Sequence, residues 1–488
     1  MSHPAQTPPF DRFLATIAGP DPVACLREGL IGKDAEVPGP FGPKPLLYCD
    51  YTASGRALRQ VETFVMEEVL PWYANSHTEA SHCGARMTAM RRAARAIVGE
   101  ACGAGPEHAV IFCGAGATAG LNRLVHLFGV AEAAARGDRP LVLIGPYEHH
   151  SNILPWRESG AEVILLPEDS RGGPCRATLA ATLEAARGRP VTAALSAASN
   201  VTGLLTDVAE VTRTLKAAGA RVVWDYAAGG PYLPMAMTPA PSAEIDAIVT
   251  SPHKFAGGPA SSGVLVVRRD AVVTARPSWP GGGTVTFVSP EGHDYAEALE
   301  AREEGGTPNV IGDIRAALAF LVKHAAGTDR IAARGTVLRR RARAAFAQEE
   351  RIELLGRGGG ADSLPILSFR VRDGQGSLIH HQFVTRLLSD LHGVQVRGGC
   401  ACAGPYVHDL LGIGPEASRQ IRAAIRARDE TGKPGFVRMN LSYLMTDAEA
   451  DRAIAAVTDV ARRAPDLLAR YELDPATAIF RPRRDAAA

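Results

Sequence analysis

Short apolar segments alternate with amphipathic helical segments from residue 46 onward, and this alternation limits the fold more than any other feature of the chain. The apolar segments are rich in β-branched residues and end at turn residues, as expected of strands buried on both faces. In chain order they read HAVIFCG, RPLVLIGP, AEVILLP, VTAALSAAS, ARVVWDYA, IDAIVTSPH and SGVLVVRR. Such strands, joined by helices, predict an α/β fold with a mostly parallel sheet. Ligands usually bind at the edge where the carboxyl ends of the strands meet.

The pattern changes along the chain and predicts its division into domains. Residues 1–45 are rich in Pro and Gly and predict a segment that packs on the surface or forms a small domain. Residues 46–310 are predicted to form the large domain. Long helices followed by mixed strands and helices over residues 311–475 predict a smaller α+β domain. Residues 476–488 predict a tail, which we expect to be disordered from Arg481 onward.

Composition argues against several classes of function. Charged residues make up 22% of the chain and the formal net charge is +1, which gives no sign of nucleic-acid binding. No segment approaches the roughly 18 apolar residues of a membrane helix, and no secretory signal is recognised. Eight cysteines in 488 residues predict reduced thiols in the cytoplasm. No metal site is predicted, because the pair Cys400 and Cys402 lacks a second pair of ligands.

The segment GAGATAGLN, residues 114–122, follows one predicted strand and opens a helix. Backbone N–H groups and the helix dipole at such a place can bind a phosphate, and Thr118 adds a hydroxyl group. A plain tight turn explains the glycines equally well. The segment matches neither the P-loop nor the dinucleotide-binding pattern.

Two further strand ends carry polar side chains. His149 and His150 follow the strand LVLIG, and Asp225 ends the strand RVVWD. A carboxylate is costly to bury without a partner, and a protonated ring nitrogen is a suitable one. The ordinary alternatives are surface histidines at the start of a helix and, for Asp225, a helix N-cap.

Lys254 is one of only six lysines among 53 basic residues, and it follows the strand IDAIVTS. A lysine amine in a crowded, partly dry site has a lowered pKa and can form a Schiff base with an aldehyde. Ser251 and His253 offer a hydroxyl and an imidazole to a phosphate. A phosphate cradle, an aromatic ring for stacking, a buried carboxylate and a Schiff-base lysine together describe a site for pyridoxal 5′-phosphate (PLP).

Two residues of the predicted second domain have reactive or binding groups. Cys402, in VRGGCACAGP, lies in a glycine-flanked loop that can bring a thiol to a reaction site. The alternative is a small buried cysteine. Arg438, in FVRMNLSYL, can hold a carboxylate with two parallel hydrogen bonds.

These motifs resemble those of the class V aminotransferase family, in particular its cysteine desulfurase and selenocysteine lyase branch. The resemblance covers roughly residues 46–465 and is strongest in EHHSNILPW, SNVTG, SPHKFAGGPASSGVLVV, EEGGTPN, RGGCACAGP and VRMNLSYLMT. It implies a fold type I PLP enzyme whose large domain has a mostly parallel seven-stranded sheet, followed by a smaller α+β C-terminal domain. It also implies PLP as the cofactor and a homodimer.

The resemblance implies a role for each site residue. Lys254 would carry the Schiff base and move protons, and His149 would stack on the cofactor ring and assist proton transfer. Asp225 would bond to the pyridine nitrogen. Arg438 would bind the substrate carboxylate, and Cys402 would accept sulfur as a persulfide. The other implied contacts are Ala117, Thr118, Ser251 and His253 with the phosphate, Asn200 near the cofactor, and Thr307 with the phosphate of the neighbouring subunit.

Three departures from the family pattern bear on function. Ala228 stands where the family usually has a Gln that contacts the phenolic oxygen of the cofactor. Gly399 and Cys400 stand where related lyases often have polar or histidine residues, and Cys400 either resolves a persulfide or is incidental. The connection over residues 406–437 is longer than is common in the family.

The resemblance implies cleavage of the C–S or C–Se bond of L-cysteine or a related amino acid. The products would be alanine and a Cys402 persulfide, which would pass to a sulfur-acceptor protein. Because of Ala228, other class V reactions stay open: transamination, C–S lyase action on a cysteine conjugate, or epimerisation. An inactive scaffold is disfavoured because Lys254 and Asp225 are both present. The sequence does not identify the true substrate or the acceptor.

Overall fold

The computed structural model describes residues 8–76, 78–356 and 362–483, and the chain divides into two compact units. The described parts of residues 1–31, 54–198 and 206–330 form the first unit, and those of 32–53, 199–205 and 331–488 form the second. The second unit therefore takes in two short segments from earlier in the chain. One of them is fixed by strand Leu47–Tyr48, which pairs in parallel with Val394–Gln395. The boundaries predicted at residues 45 and 310 remain a prediction.

The first unit contains a seven-stranded sheet, as the α/β prediction requires. Its strands are β1 His108–Cys113, β2 Leu141–Ile144, β3 Glu162–Leu165, β4 Val191–Ser196, β5 Arg221–Asp225, β6 Ala247–Thr250 and β7 Gly263–Arg268. Their order across the sheet is β1–β7–β6–β5–β4–β2–β3. Strand β7 is antiparallel to both of its neighbours, and every other pair is parallel.

The strands of this sheet are buried almost end to end, which explains their unbroken apolar sequences. All residues of β1, β2 and β6 are buried, whereas the edge strand β3 is partly exposed. Successive residues of a strand point to opposite faces, so complete burial means that both faces are covered. On one face, helix Gly116–Leu127 contributes Leu121 and Leu124 to the core.

Helices and short turns connect and cover the strands. The helices are Pro9–Ile17, Pro22–Glu28, Arg59–Phe64, His82–Ala101, Gly116–Leu127, Val130–Arg136, Leu154–Glu158, Arg176–Ala185, Val208–Ala217, Leu299–Glu303, Val310–Ala326, Thr328–Phe346, His381–His392, Gly404–Leu410, Pro415–Arg426 and Asp447–Leu467. A π-helical turn spans Val65–Val69, and 3-10 turns span Leu70–Trp72, His150–Asn152, Pro252–Lys254, Arg269–Ala271 and Leu468–Arg470.

The second unit is an antiparallel sheet packed against helices, an α+β arrangement. Its strands are β8 Ile352–Leu354, β9 Ile366–Arg372, β10 Leu378–Ile379, β11 Arg397–Gly399 and β12 Phe436–Asn440. They are ordered β8–β9–β12–β11, with β10 beside β9. Helices His381–His392 and Asp447–Leu467 share its apolar core, which includes Phe369, Phe383 and Val457.

Four short pairs of strands complete the described structure. They are Glu36–Val37 with Lys44–Pro45, Leu47–Tyr48 with Val394–Gln395, Val285–Val288 with His293–Tyr295, and Tyr471–Asp474 with Ile479–Pro482.

The last of these hairpins corrects the expectation of disorder from Arg481 onward, because Arg481 and Pro482 lie in a paired strand. The ring of Phe480 packs on Phe383 and His380 with centroids 5.0 and 5.4 Å apart. Burial of this aromatic ring anchors the hairpin. Residues 484–488 lie outside the described residues.

A buried ion network ties three segments of the first unit together. Both carboxylate oxygens of Glu304 accept hydrogen bonds from Arg95, at 2.6 and 2.7 Å. Arg91 Nη2 donates to Glu304 at 2.6 Å, and its Nε donates to Asp313 at 2.7 Å. The Phe112 N–H of β1 also donates to Glu304. Burial raises the pKa of Glu304, but these donors lower it more, so that the pKa lies below its ordinary value.

We expect Glu304→Gln to lower the free energy of unfolding by about 3 kcal/mol, because it leaves the half-buried Arg95 without its paired carboxylate and Arg91 with that of Asp313 alone. The matched control is Glu79→Gln. It removes an exposed ion pair with Arg92, which lies on the same helix as Arg91 and Arg95, and the side chains of Glu79 and Arg92 are 61% and 70% exposed. It should cost less than about 0.5 kcal/mol. Urea denaturation followed by circular dichroism measures both changes, and equal losses would contradict the assignment.

Candidate active site

The candidate site of the first unit lies at one edge of its sheet. Strands β2, β4, β5 and β6 run in the same direction, and β1 shares it because β1 and β6 are both antiparallel to β7. Their carboxyl ends therefore meet at this edge, where ligands bind in such sheets. The predicted residues of the first unit that end or follow these strands are Ala117, Thr118, His149, Asp225, Ser251, His253 and Lys254.

The Gly-rich turn after β1 forms a close-fitting cradle with the segment after β6. Ser251 Oγ accepts a hydrogen bond from the Ala117 N–H at 2.9 Å. Gly116 has φ of +61°, and a Cβ there would lie 2.7 Å from Ser251 Oγ and 3.1 Å from His253 Cε1. A Cβ on Gly263 would lie within 2.5 Å of the Gly116 backbone. Both positions thus require glycine, and the structure brings Ala117, Ser251 and His253 together at the start of a helix.

Thr118 and His149 meet through Ser151, a residue that the sequence reasoning did not single out. Thr118 Oγ1 donates to Ser151 Oγ at 2.7 Å, and that oxygen lies 3.1 Å from His149 Nδ1. The Ser151 N–H also donates to His149 Nδ1 at 3.1 Å. A neutral His149 therefore carries its proton on Nε2. These bonds fix the orientation of the half-buried imidazole.

Asp225, His253 and Lys254 are electrostatic neighbours. Burial raises the pKa of Asp225, which the Ala227 N–H and the charge of Lys254 partly offset. The Ala227 N–H donates to Asp225 Oδ1 at 2.7 Å. Burial, followed by the charge of Lys254, lowers the pKa of His253 to about 4. His253 is therefore neutral at pH 7 and can donate a single N–H.

Glu148 is a buried carboxyl that the sequence reasoning missed. It accepts hydrogen bonds from Asn152 Nδ2 at 2.6 Å, and from the N–H and Oγ of Ser196 at 2.7 and 2.6 Å. Burial raises its pKa to about 7, and the charge of Asp225 contributes in the same direction. Its position directly before the two histidines was the only signal in the sequence.

In the second unit, Arg438 and Arg397 face each other across β12 and β11. Like charges directly opposite each other destabilise a sheet. Asp50 lies between them: its Oδ1 accepts from Arg438 Nη2 at 3.1 Å and its Oδ2 from Arg397 Nε at 3.0 Å. Neither Asp50 nor Arg397 was singled out from the sequence. The carboxylate arrives from a segment almost 350 residues earlier in the chain.

Arg438 and Asn200 are joined, and each has a buried polar atom with no hydrogen-bond partner among the described residues. Arg438 Nη1 donates to the Asn200 carbonyl at 3.1 Å, and Asn200 Nδ2 donates to the Ala401 carbonyl at 2.8 Å. The atoms without a partner are Arg438 Nε and Asn200 Oδ1. An unsatisfied buried polar group costs about 1–3 kcal/mol, so these two atoms are candidates to bind a ligand.

Cys402 is exposed and lies in a strained turn. The Ala403 N–H donates to the Cys400 carbonyl at 3.1 Å, and φ is +51° at Ala401 and +54° at Cys402. Two successive left-handed residues closed by this bond form a type I′ turn, which favours Gly and Asn. Each non-glycine residue here costs on the order of 1–2 kcal/mol. Strain of this kind is concentrated at functional sites.

The remaining predicted features have the following positions. Thr307 is exposed, and its predicted contact with a neighbouring subunit remains a prediction. Ala228 is buried and offers no side-chain donor. The long connection folds as helices Gly404–Leu410 and Pro415–Arg426, and the second of these has no fully buried residue.

The described residues contain neither a metal-binding cluster nor a membrane-spanning helix. Across residues 8–76, 78–356 and 362–483, no group of three or more His, Cys, Asp and Glu side chains is placed to hold a metal ion. Among the helices of those ranges, none has both the length and the apolar character needed to cross a membrane.

Comparison with known proteins places the chain in a family. The family described as "Aminotransferase class-V" matches residues 47–452. A probable cysteine desulfurase of Vibrio cholerae serotype O1 is 31% identical over 431 residues, which cover 87% of this chain and 95% of that protein. A cysteine desulfurase of Enterobacter sp. (strain 638) is 32% identical over 370 residues, covering 74% and 86%.

Solved structures share the fold. The apo structure of a cysteine desulfurase from Thermococcus onnurineus NA1 has a TM-score of 0.71 at 22% identity, covering 89% of this chain and 97% of that chain. The cysteine desulfurase CsdA (S-sulfonic acid) from Escherichia coli has a TM-score of 0.69 at 24% identity, covering 90% and 98%. The predicted fold type I architecture is therefore confirmed.

The site fits the PLP cofactor that enzymes of this family use. The cradle at Gly116 is a space that a Cβ would fill, Asp225 is a buried carboxylate, and Lys254 is its electrostatic neighbour. The roles of individual residues remain predictions, whereas the predicted family and the predicted cofactor are confirmed. This chain belongs to the class V aminotransferase family of PLP-dependent enzymes.

Proposed function

We propose that the chain is a cysteine desulfurase that cleaves the C–S bond of L-cysteine, releases alanine and holds the sulfur as a persulfide on Cys402. The observation that carries the proposal is the cluster in the second unit. There an exposed Cys402 thiol lies in a strained turn whose carbonyl is bonded to Asn200, and Asn200 is bonded to the buried Arg438. The named relatives from Vibrio cholerae and Enterobacter support the same reaction.

The residues of the first unit would hold PLP. Ala117, Thr118, Ser251 and His253 would bind its phosphate, Asp225 would hold a proton on its ring nitrogen, and Lys254 would hold it covalently through Nζ. When bound, PLP supplies an electron sink that stabilises negative charge at the substrate Cα and weakens the bond from Cβ to sulfur.

Proton transfer would be divided between two side chains of the first unit. Lys254 Nζ would take the proton from the substrate Cα. His149 would carry a mobile proton on Nε2, because its Nδ1 accepts from the Ser151 N–H. His253 is neutral at pH 7, so it would add no positive charge beside Lys254.

The residues of the second unit would bind the substrate and receive its sulfur. Arg438 would bind the carboxylate, using the Nε–H that has no partner among the described residues. Cys402 as a thiolate would attack the substrate sulfur. The bond from Cβ to sulfur would break and a sulfur–sulfur bond would form. Cβ would take up a proton to become the methyl group of alanine, and Lys254 Nζ would return its proton to Cα.

The persulfide would pass to a sulfur-acceptor protein in sulfur metabolism. The enzyme would act as a homodimer in which Thr307 contacts the phosphate bound by the partner. All eight cysteines are free, which favours a reducing compartment such as the cytoplasm.

We expect Cys402→Ser to abolish release of sulfide and alanine from L-cysteine, with a loss of at least about 100-fold, because a hydroxyl cannot accept sulfur. Cys83→Ser, at a half-buried cysteine of the first unit, is the control and should retain wild-type rates. Transamination does not need this thiol. A variant that lost sulfide release but formed keto acid would favour transamination. The absence of a side-chain donor at Ala228 is the observation that keeps this second candidate open.

Lys254 should be the lysine that holds PLP. A rival exists in Lys323, whose pKa burial lowers to about 8. Lys323 Nζ, however, donates to the Leu233 carbonyl. Position therefore decides between the two amines: Lys254 is the neighbour of Asp225 and of the cradle.

After borohydride reduction of the holoenzyme, peptide mass mapping should find the cofactor mass on Lys254 and none on Lys323. Lys254→Ala should lose the near-visible absorbance, and Lys323→Arg should keep it. A label on Lys323 would refute the assignment.

Asp50 should position Arg438 for the substrate carboxylate. Asp50→Asn weakens the charge-assisted bond to Arg438, and we expect the KM for L-cysteine to rise about tenfold with a smaller change in kcat. Asp409→Asn, at an exposed carboxylate of the same unit, is the control and should leave KM unchanged. Steady-state kinetics separates the two constants, and an unchanged KM in Asp50→Asn would rule out this role.

A further inference from the structure

The turn that carries Cys402 also carries a second thiol, that of Cys400. The two cysteines occupy the first and third positions of the turn closed by the bond from the Ala403 N–H to the Cys400 carbonyl. Cys402 is exposed and Cys400 is half-buried, and both are free. The two thiols are therefore close in the chain and reachable.

The conformation of the turn shortens the distance between the two cysteines. Ala401, between them, has φ of +51°, in the left-handed helical region. A helical residue, of either hand, brings the Cα atoms on its two sides to about 5.5 Å, whereas an extended residue holds them at about 6.5 Å or more. The Cα atoms of a disulfide usually lie about 4.4–6.8 Å apart. The turn thus brings Cys400 and Cys402 well within this range.

The turn is held in this conformation from both sides. Asn200 Nδ2 bonds to the Ala401 carbonyl at 2.8 Å. On the other side, the Val407 N–H of helix Gly404–Leu410 bonds to the Ala403 carbonyl at 2.9 Å. These bonds keep the strained turn from relaxing to an extended chain.

The second unit offers Cys402 no other usable thiol. Its remaining cysteine, Cys49, is fully buried, and burial raises its pKa to about 12. A thiol of that kind forms no thiolate near neutral pH. The choice of a partner for Cys402 within this unit falls on Cys400.

We propose that Cys400 is a resolving thiol that displaces sulfide from the Cys402 persulfide. This inference rests on the proposed function and extends it: the enzyme can release free sulfide without an acceptor protein. Cys400 is then a catalytic residue, because its sulfur bonds to a reacting atom.

The step is balanced without an external oxidant. The Cys400 sulfur attacks Cys402 Sγ, a bond forms between the two cysteine sulfurs, and the bond from Cys402 Sγ to the outer sulfur breaks. The outer sulfur leaves as hydrosulfide with the electron pair of that bond and takes up the proton of Cys400. The outer sulfur is reduced and Cys400 is oxidised. A low-molecular-weight thiol then reduces the disulfide, and a bond across so small a ring is expected to be readily reduced.

The test compares the wild-type holoenzyme, Cys400→Ser and the control Cys83→Ser, all without reductant. Each protein is given one equivalent of L-cysteine per subunit in one arm, because excess L-cysteine is itself a thiol that would reduce the disulfide. A second arm uses one equivalent of inorganic polysulfide, which can load Cys402 without any turnover. Thiols are then blocked by alkylation, and mass spectrometry locates persulfides and disulfides. Alanine and free sulfide are measured in parallel.

Wild type and Cys83→Ser should show a Cys400–Cys402 disulfide and release about one sulfide per loaded subunit. Cys400→Ser should keep the persulfide on Cys402 and release at least about tenfold less sulfide. A wild-type persulfide as stable as that of Cys400→Ser would overturn the inference. This wild-type result does not depend on whether the variant folds.

The two arms separate the inference from the proposed function. If L-cysteine yields no alanine, the desulfurase proposal fails, and the polysulfide arm still decides whether Cys400 resolves a persulfide. If alanine forms but no disulfide follows in either arm, the resolving role fails and the desulfurase proposal stands.

Discussion

The burial of both faces of the seven-stranded sheet is the constraint on which the first unit depends. Strands β1, β2 and β6 have no exposed residue, so these strands leave no room for a charged side chain along their length. Polar chemistry is confined to the carboxyl edge, where Asp225 ends β5 and Ser251 follows β6. The same confinement brings the Lys254 amine close enough to the Asp225 carboxylate and the His253 imidazole for its charge to lower the pKa of both.

In the second unit, two guanidinium groups lie opposite each other on adjacent strands and need a counter-charge. The Asp50 carboxylate holds Arg438 and Arg397 together, and the Asn200 carbonyl holds the other side of Arg438. Asn200 in turn holds the turn of Cys402 through the Ala401 carbonyl. The buried guanidinium of Arg438 and the turn of the exposed Cys402 are thereby linked through one short hydrogen-bonded chain within this unit.

Much of the first unit could be predicted because its signals are local. Lys254 and Asp225 each end or follow an apolar strand, so reading the strands also located these side chains. Glu148 and Asp50 were missed because their significance depends on partners elsewhere, Ser196 for Glu148 and Arg438 for Asp50. The final hairpin was missed for a similar reason, since Phe480 is ordered by packing on Phe383. Residue pattern identifies strand ends well, whereas it does not reveal which distant side chains will meet.

Sulfur transfer, rather than amino-group transfer, is the reaction we propose for this chain. The most direct measurement is the product ratio when the wild-type holoenzyme turns over L-cysteine in the presence of a thiol reductant. We expect alanine and sulfide in equal amounts and no keto acid. Keto acid as the main product, or sulfide without alanine, would contradict it.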